Sequence, residues 1–345
     1  MAHQRIGNAC RRADRGRTSR GSMSLIVKAV AMKTRSLSVV ATMLLCATLA
    51  QAQTPPPSQP PPTENEIVVS AKRSGAPMWT IDTPTGTVLL VGEIRAVPKS
   101  TPWEPERLRD ATAEASRVIL RAQPKFSPGD VLRLIFRGGS FTKLPDGRVA
   151  ASYLTVEQRA RLASLETRYK VDYDRGSFLM SSFDLLARRL DFDNSTMDDA
   201  TDIVEKAAKR AGIAIVRPER FRGEDLLDNL AAAAPASHIA CLEAAMAATE
   251  AGQSIIEARG DDWRRFDVPA VMANPLEIAL STCWPWADED LGGEIRDQWT
   301  RLITEASGTD GVTLAVVPLG VLAEKQGVLD QLAARGFAIA GPEWR

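Results

Sequence analysis

Residues 53–66 read QTPPPSQPPPTENE and hold six prolines. Proline fixes φ and has no backbone N–H, so this tract can neither sit inside a sheet nor continue a helix. It is expected to be an extended, semi-rigid spacer, and any globular fold must form on one side of it. The side before it is short and unsuited to folding. Residues 32–52 read MKTRSLSVVATMLLCATLAQA: Lys33 and Arg35 as a charged start, an apolar run over 37–49, and Ala50-Gln51-Ala52 as a small-x-small cleavage site. That is a secretory signal pattern. The apolar run is too short for a comfortable span, which takes about 20 residues. Leu45-Cys46 invites a lipoprotein reading that Met43 and Leu44 fit poorly. Residues 1–31 read as a mis-assigned start or a long n-region.

The neutral total charge hides an asymmetry. Residues 1–52 carry nine Lys/Arg and one acid, Asp14, so removing them leaves 34 basic and 42 acidic residues, a net of −8 over 293. Phosphate backbones are bound by basic faces, so nucleic acid is not an expected partner. After cleavage the chain is expected to be periplasmic or secreted, with no transmembrane span. Two cysteines remain, Cys241 and Cys283. In an exported chain an even pair points to a disulfide; the alternative is two separately buried thiols.

Residues 53–75 are assigned to the spacer, with 67–73 (IVVSAKR) as a tether or edge strand, and the domain to 76–345. Residues 78–81 and 87–91 read as a hairpin around the 83–86 turn. A helix is expected over 103–116 with Leu108, Ala111 and Ala115 inward, followed by a strand at 117–120. Thr155-Val156-Glu157-Gln158 has the form of a capping box. Further helices are expected at 178–190 and 197–211, a strand at 213–216, and a mostly helical stretch over 224–310 broken near Pro285. A helix over 322–335 ends at Gly336, a natural αL cap, before a last strand at 337–340. The expected class is α/β (α+β mixed): a central mixed sheet from the N- and C-terminal segments, with a largely helical middle insertion.

Several of these segments resemble the TraB/PrgY/GumN family, which also includes the TIKI proteases. The likeness lies in Trp79, the 87–91 strand, Gly92-Glu93-Ile94-Arg95 with Pro98, the helix from Trp103, and the 117–121 strand. Near the other end it lies in the 313–317 strand, Pro318-Leu319-Gly320-Val321-Leu322, the helix over 327–336 and Arg296-Asp297-Gln298-Trp299. The resemblance implies the same mixed fold and a hydrolase in which two histidines and a glutamate bind a divalent metal that activates water.

This chain departs from the pattern at the chemistry. Arg95 stands where the family has its first histidine, Arg121 where it has the glutamate, and Val321 where it has the second histidine; Pro318 replaces a glycine. A metal site needs imidazole, thiolate or carboxylate donors, and a guanidinium offers no lone pair. The expectation is therefore an exported pseudo-hydrolase with no metal or other cofactor and a binding or scaffolding role. Its partner would be an unknown peptide, protein or small anionic ligand, met by Arg95 and Arg121. The alternative is an active metal-dependent hydrolase or peptidase using other residues. Glu93 is expected to pair with Arg95 or Arg121.

Other candidates are weaker. His238 is a lone imidazole near a helix start, three residues before Cys241, and could form a dyad with a free Cys241. Asp261-Asp262 reads as a solvated turn or cap, and Asn194-Ser195-Thr196 as a chance glycosylation triplet. Trp284-Pro285-Trp286 is either core packing beside Cys283 or an exposed aromatic platform.

Overall fold

The structure is a computed structural model. It describes residues 63–122, 142–192, 196–219, 223–283, 285–286 and 288–345. Residues 1–52, most of the proline tract, Gly138-Gly139, Asn194 and Trp284 lie outside the described residues.

Two apolar runs build the centre. Strands β1 (Met78–Asp82) and β2 (Gly86–Glu93) form the expected antiparallel hairpin. Much later in the chain comes β7 (Gly311–Pro318), parallel to β2 along its whole length, from Gly86↔Gly311 to Glu93↔Pro318. Residues 88–91 and 314–317 are buried throughout, as strands covered on both faces must be. Short strands β4 (Arg117–Ile119) and β6 (Ala214–Val216) add in parallel, giving the order β1-β2-β7-β4-β6. A separate ribbon pairs β3 (Val97–Pro98) with β5 (Thr196–Met197). The mixed α/β class read from the sequence is the one observed.

Residues 67–73 are neither tether nor strand. Helix α1 (Glu64–Lys72) buries Ile67 and Ala71, four residues apart on one face, in the sheet's apolar cluster and packs against α2 (Pro105–Glu114). The β-branched run favours a strand locally, but burying that face decides the outcome. Leu108, Ala111 and Ala115 point inward as expected.

The middle segment forms a second apolar cluster. Helix α3 (Val156–Tyr169) starts at the full capping box, Thr155 Oγ1 accepting from the Gln158 N–H and Gln158 Oε1 accepting from the Thr155 N–H. Helix α4 (Phe178–Asp184) continues into a wider turn at Leu185–Arg189. Helix α5 (Ala200–Ala211) begins at Asp199 and ends at Gly212 in the left-handed region, where glycine is least strained. The 224–310 stretch is helical as expected. It includes α6 (Gly223–Ala232), α7 (Ile239–Ala251), α8 (Ser254–Arg264), α9 (Val268–Ala273), α10 (Pro275–Thr282) and α11 (Glu289–Ser307).

The expected helix over 322–335 is two helices, α12 (Leu319–Ala323) and α13 (Val328–Ala334). Gln326 at φ +61° breaks the run, and Gly327 stays free of side chain because a Cβ would lie 2.8 Å from the carbonyl oxygens of Val321, Leu322 and Glu324. The expected strand at 337–340 reduces to one bridge, Ala340 exchanging backbone hydrogen bonds with Thr80 at 2.8 and 3.0 Å.

Cys241 on α7 is disulfide-bonded to Cys283 at the end of α10, with Cα atoms 4.7 Å apart and both residues buried. Closing a loop of 42 residues restricts the unfolded chain by about 4 kcal/mol in the entropic account. Replacing both cysteines by serine is expected to lower stability by about 2–4 kcal/mol, read from urea unfolding at constant pH.

Candidate functional site

In parallel sheets, ligand sites form beyond the carboxyl ends of the strands. Here β2 ends at Gly92–Glu93 beside Val317–Pro318 of β7, and β4 ends just before Arg121. These ends open into a cleft of about 360 Å³ lined by Glu93, Arg95, Arg121, Pro318 and Val321, with α10, α11 and the loop between them forming the outer wall. The residues singled out at the two ends of the sequence therefore share one cleft. Gly92 lies directly behind it. A Cβ there would stand 2.8 Å from Leu319 and 2.9 Å from Trp79, and its carbonyl accepts from Trp263 Nε1–H at 2.7 Å.

Glu93 is the buried charge of the site, 4% exposed. Its Oε2 accepts the Thr201 N–H at 2.6 Å, and its Oε1 accepts from Arg121 Nη1 at 3.3 Å. Arg121 Nη2 lies 3.6 Å from Asp199, the N-cap of α5. Of the two arginines expected as partners for Glu93, Arg121 is the one that pairs. Burial, and then the neighbouring Asp199 charge, push the Glu93 carboxyl up to about 7, against the opposing pull of Arg121 and Thr201. The Arg121 carbonyl accepts from Arg217, itself paired with Glu205 at 3.0 Å. Arg95 differs: its guanidinium is exposed to the cleft and has no carboxylate partner among the described residues.

The turn carrying Arg95 is held from below by a residue the sequence reading passed over. Arg259 on α8 is fully buried and donates through Nε to Glu277 Oε2 at 2.7 Å and through Nη1 to the Arg95 carbonyl at 2.9 Å. Its Nη2 lies 2.6 Å from the same Glu277 oxygen but is aligned as an ion pair, not as a second hydrogen bond. The neighbouring Ala96 sits at φ +59°, a left-handed conformation that costs a non-glycine residue about 1–2 kcal/mol and persists where its surroundings impose it. A signal was available: Ile256, Arg259, Gly260 and Trp263 fall at helical spacing, and all four are buried. Across the cleft, Arg296 pairs with Glu324 at 3.1 Å. Burial raises the Glu324 carboxyl, with Arg296 pulling the other way.

The other candidates do not join this cleft. His238 borders a separate groove with Lys143, Phe178 and Leu230, and burial lowers its basicity. The disulfide removes the thiol that a dyad with His238 would need. Asp262 pairs with Arg265 at 2.6 Å on α8. Of the Trp-Pro-Trp triplet, Trp286 is 37% exposed and lines the cleft, whereas Trp263 and Trp299 are buried.

The donor set does not fit a catalytic cation. Arg95, Arg121 and Val321 offer it no lone pair. Glu93, the nearest carboxylate, already serves Arg121 and Thr201. Among the described residues no group of three His, Cys, Asp or Glu side chains could hold a metal ion.

A mixed sheet with its cleft at the parallel strand ends, walled by a helical middle segment, defines an α/β protein. The chain belongs to the TraB/PrgY/gumN family, whose family model matches residues 77–340. Neither the curated proteins nor the solved structures hold a match to it.

Two outcomes follow from the buried charges. The Glu93 carboxyl is raised from an ordinary value of 4.5 to about 7, so the folded state holds a proton that the unfolded chain releases. Stability is therefore lost as pH rises from about 4.5 and the loss is complete above about 7, on the order of 1 kcal/mol per pKa unit. Glu93→Gln is expected to flatten that slope in thermal melts from pH 5 to pH 8. Arg259→Ala leaves Glu277 buried without its cation and is expected to cost about 3–5 kcal/mol in urea unfolding.

Proposed function

We propose that this is an exported, catalytically inactive TraB/GumN-type protein whose strand-end cleft binds a small anion in the cell envelope. The observation that carries the reading is the convergence of Arg95, Arg121 and Val321 on one cleft, with Arg95 lacking a carboxylate partner among the described residues. A guanidinium beside a concave, partly desolvated surface is suited to a carboxylate or phosphate. The leader pattern and the disulfide support export. No helix among the described residues is long and apolar enough to cross a membrane.

The Glu93 carboxyl favours a second reading, in which the cleft retains hydrolysis. A buried carboxyl poised near neutrality is suited to general acid–base work. Its two oxygens are engaged by Arg121 and Thr201, which favours a structural role.

The test is hydrolysis of unstructured peptides by the mature protein, with and without added zinc, manganese or cobalt, beside calorimetry with acetate and inorganic phosphate. The expected result is no turnover, none restored by Arg95→His with Arg121→Glu, and anion binding weakened about tenfold or more by Arg95→Ala, since a charged hydrogen bond contributes about 1.5–3 kcal/mol. Stoichiometric metal with turnover, or turnover abolished by Glu93→Gln, would overturn the inactive reading. Anion affinity unchanged in Arg95→Ala would overturn the role of that arginine.

A further inference from the structure

We propose that the ligand of this cleft is a small monocarboxylate with an apolar, planar body, its carboxylate on Arg95 and its body against Trp286. The inference rests on the anion-binding reading and narrows it. Charge comes first. Four arginines line the cleft: Arg95, Arg121, Arg259 and Arg296. Arg259 is matched by Glu277, Arg296 by Glu324 at 3.1 Å, and Arg121 by Glu93 at 3.3 Å and Asp199 at 3.6 Å. Arg95 is the cleft arginine with no carboxylate within 4.0 Å among the described residues. The four arginines meet four carboxylates in all, two of them on Arg121, so the unanswered charge is local to Arg95, and one local positive charge matches one negative charge. The second charge of a phosphate dianion would face Glu93, Glu277 and Glu324 with no cation left to answer it.

Shape and polarity give the rest. The volume, about 360 Å³, suits a small organic molecule. Apolar side chains share the lining with the charges: Leu280 on α10, Trp286 on the loop before α11, and Pro318 at the end of β7. Trp286 is 37% exposed, while Trp79, Trp103, Trp263 and Trp299 are all buried. A partly exposed indole lining the cleft, with an unpaired guanidinium in the same cleft, suits a ligand that is flat and apolar over most of its surface and anionic at one end.

Calorimetry on the full exported chain decides the matter, using phenylacetate, acetate, inorganic phosphate and neutral phenylacetamide as probes. Phenylacetate is expected to bind at least about tenfold more tightly than acetate, as burial of a ring's apolar surface implies, and about tenfold more tightly than phenylacetamide. Trp286→Ala should erase the gap between phenylacetate and acetate. Arg95→Gln should erase the gap between phenylacetate and phenylacetamide. Both side chains are exposed, so both variants should melt like the wild type. If phosphate binds more tightly than phenylacetate, or acetate equals it, the monocarboxylate proposal falls and the anion-binding reading stands. If phenylacetamide equals phenylacetate, or no probe anion binds, the anion-binding reading falls and takes the proposal with it.

Discussion

The pairing of β2 with β7 is the interaction on which everything else rests. Eight consecutive residues of one pair in parallel with eight of the other, although more than 200 positions separate them in the chain. Parallel pairing puts both carboxyl ends at the same level, so Glu93 meets Pro318 across the register. Had the two strands been antiparallel, Arg95 and Val321 would have left opposite edges of the sheet and no common cleft would exist. The pairing also encloses the chain between them, and that enclosed chain supplies the helical wall. Such a non-local contact carries a loop-closure cost, which its long buried apolar runs offset.

Within that frame, the charges at the strand ends are arranged as a closed set with one opening. Arg121 occupies the position where the family pattern places a carboxylate, and Glu93, two residues before Arg95, answers it from the next strand but one. Asp199 approaches the same guanidinium from the start of α5, so two acids share one base. Burial and the second acid keep the Glu93 carboxyl raised, while the shared base makes its burial tolerable. Beneath, Arg259 ties the helical half to the sheet half by reaching Glu277 on α10 and the Arg95 carbonyl at once. The strained backbone at Ala96 is held between these contacts, which fixes where the Arg95 side chain begins.

The parts of this arrangement that follow local rules could be read from the chain. The 78–91 hairpin, the Thr155 capping box and the left-handed glycines at 212 and 336 are each fixed by nearby residues. The strand-end residues were legible through the family pattern, and the Cys241–Cys283 pair through the even count of cysteines left after residue 52. Other features depend on what lies across space. Residues 67–69 are β-branched, and nothing in their neighbourhood announces that Ile67 will meet the sheet's apolar cluster as part of a helix. The break at Gln326–Gly327 depends on three carbonyl oxygens crowding one Cα. Arg259 reads as an ordinary surface arginine until its place on the inward stripe of α8 is weighed, and Glu277 as its partner has no local sign at all.

The disulfide sits at an informative place. Cys283 ends α10, and the Trp286 N–H donates to the Cys283 carbonyl at 3.1 Å. The covalent link to α7 therefore anchors the root of the short loop that presents the indole to the cleft. A chain folded without oxidation would keep the same residues but would present that aromatic surface from a loop with one end untied. Whether that bond is closed or open thus decides how firmly one wall of the cleft is held, and makes two buried sulfurs outside the cleft part of its shape.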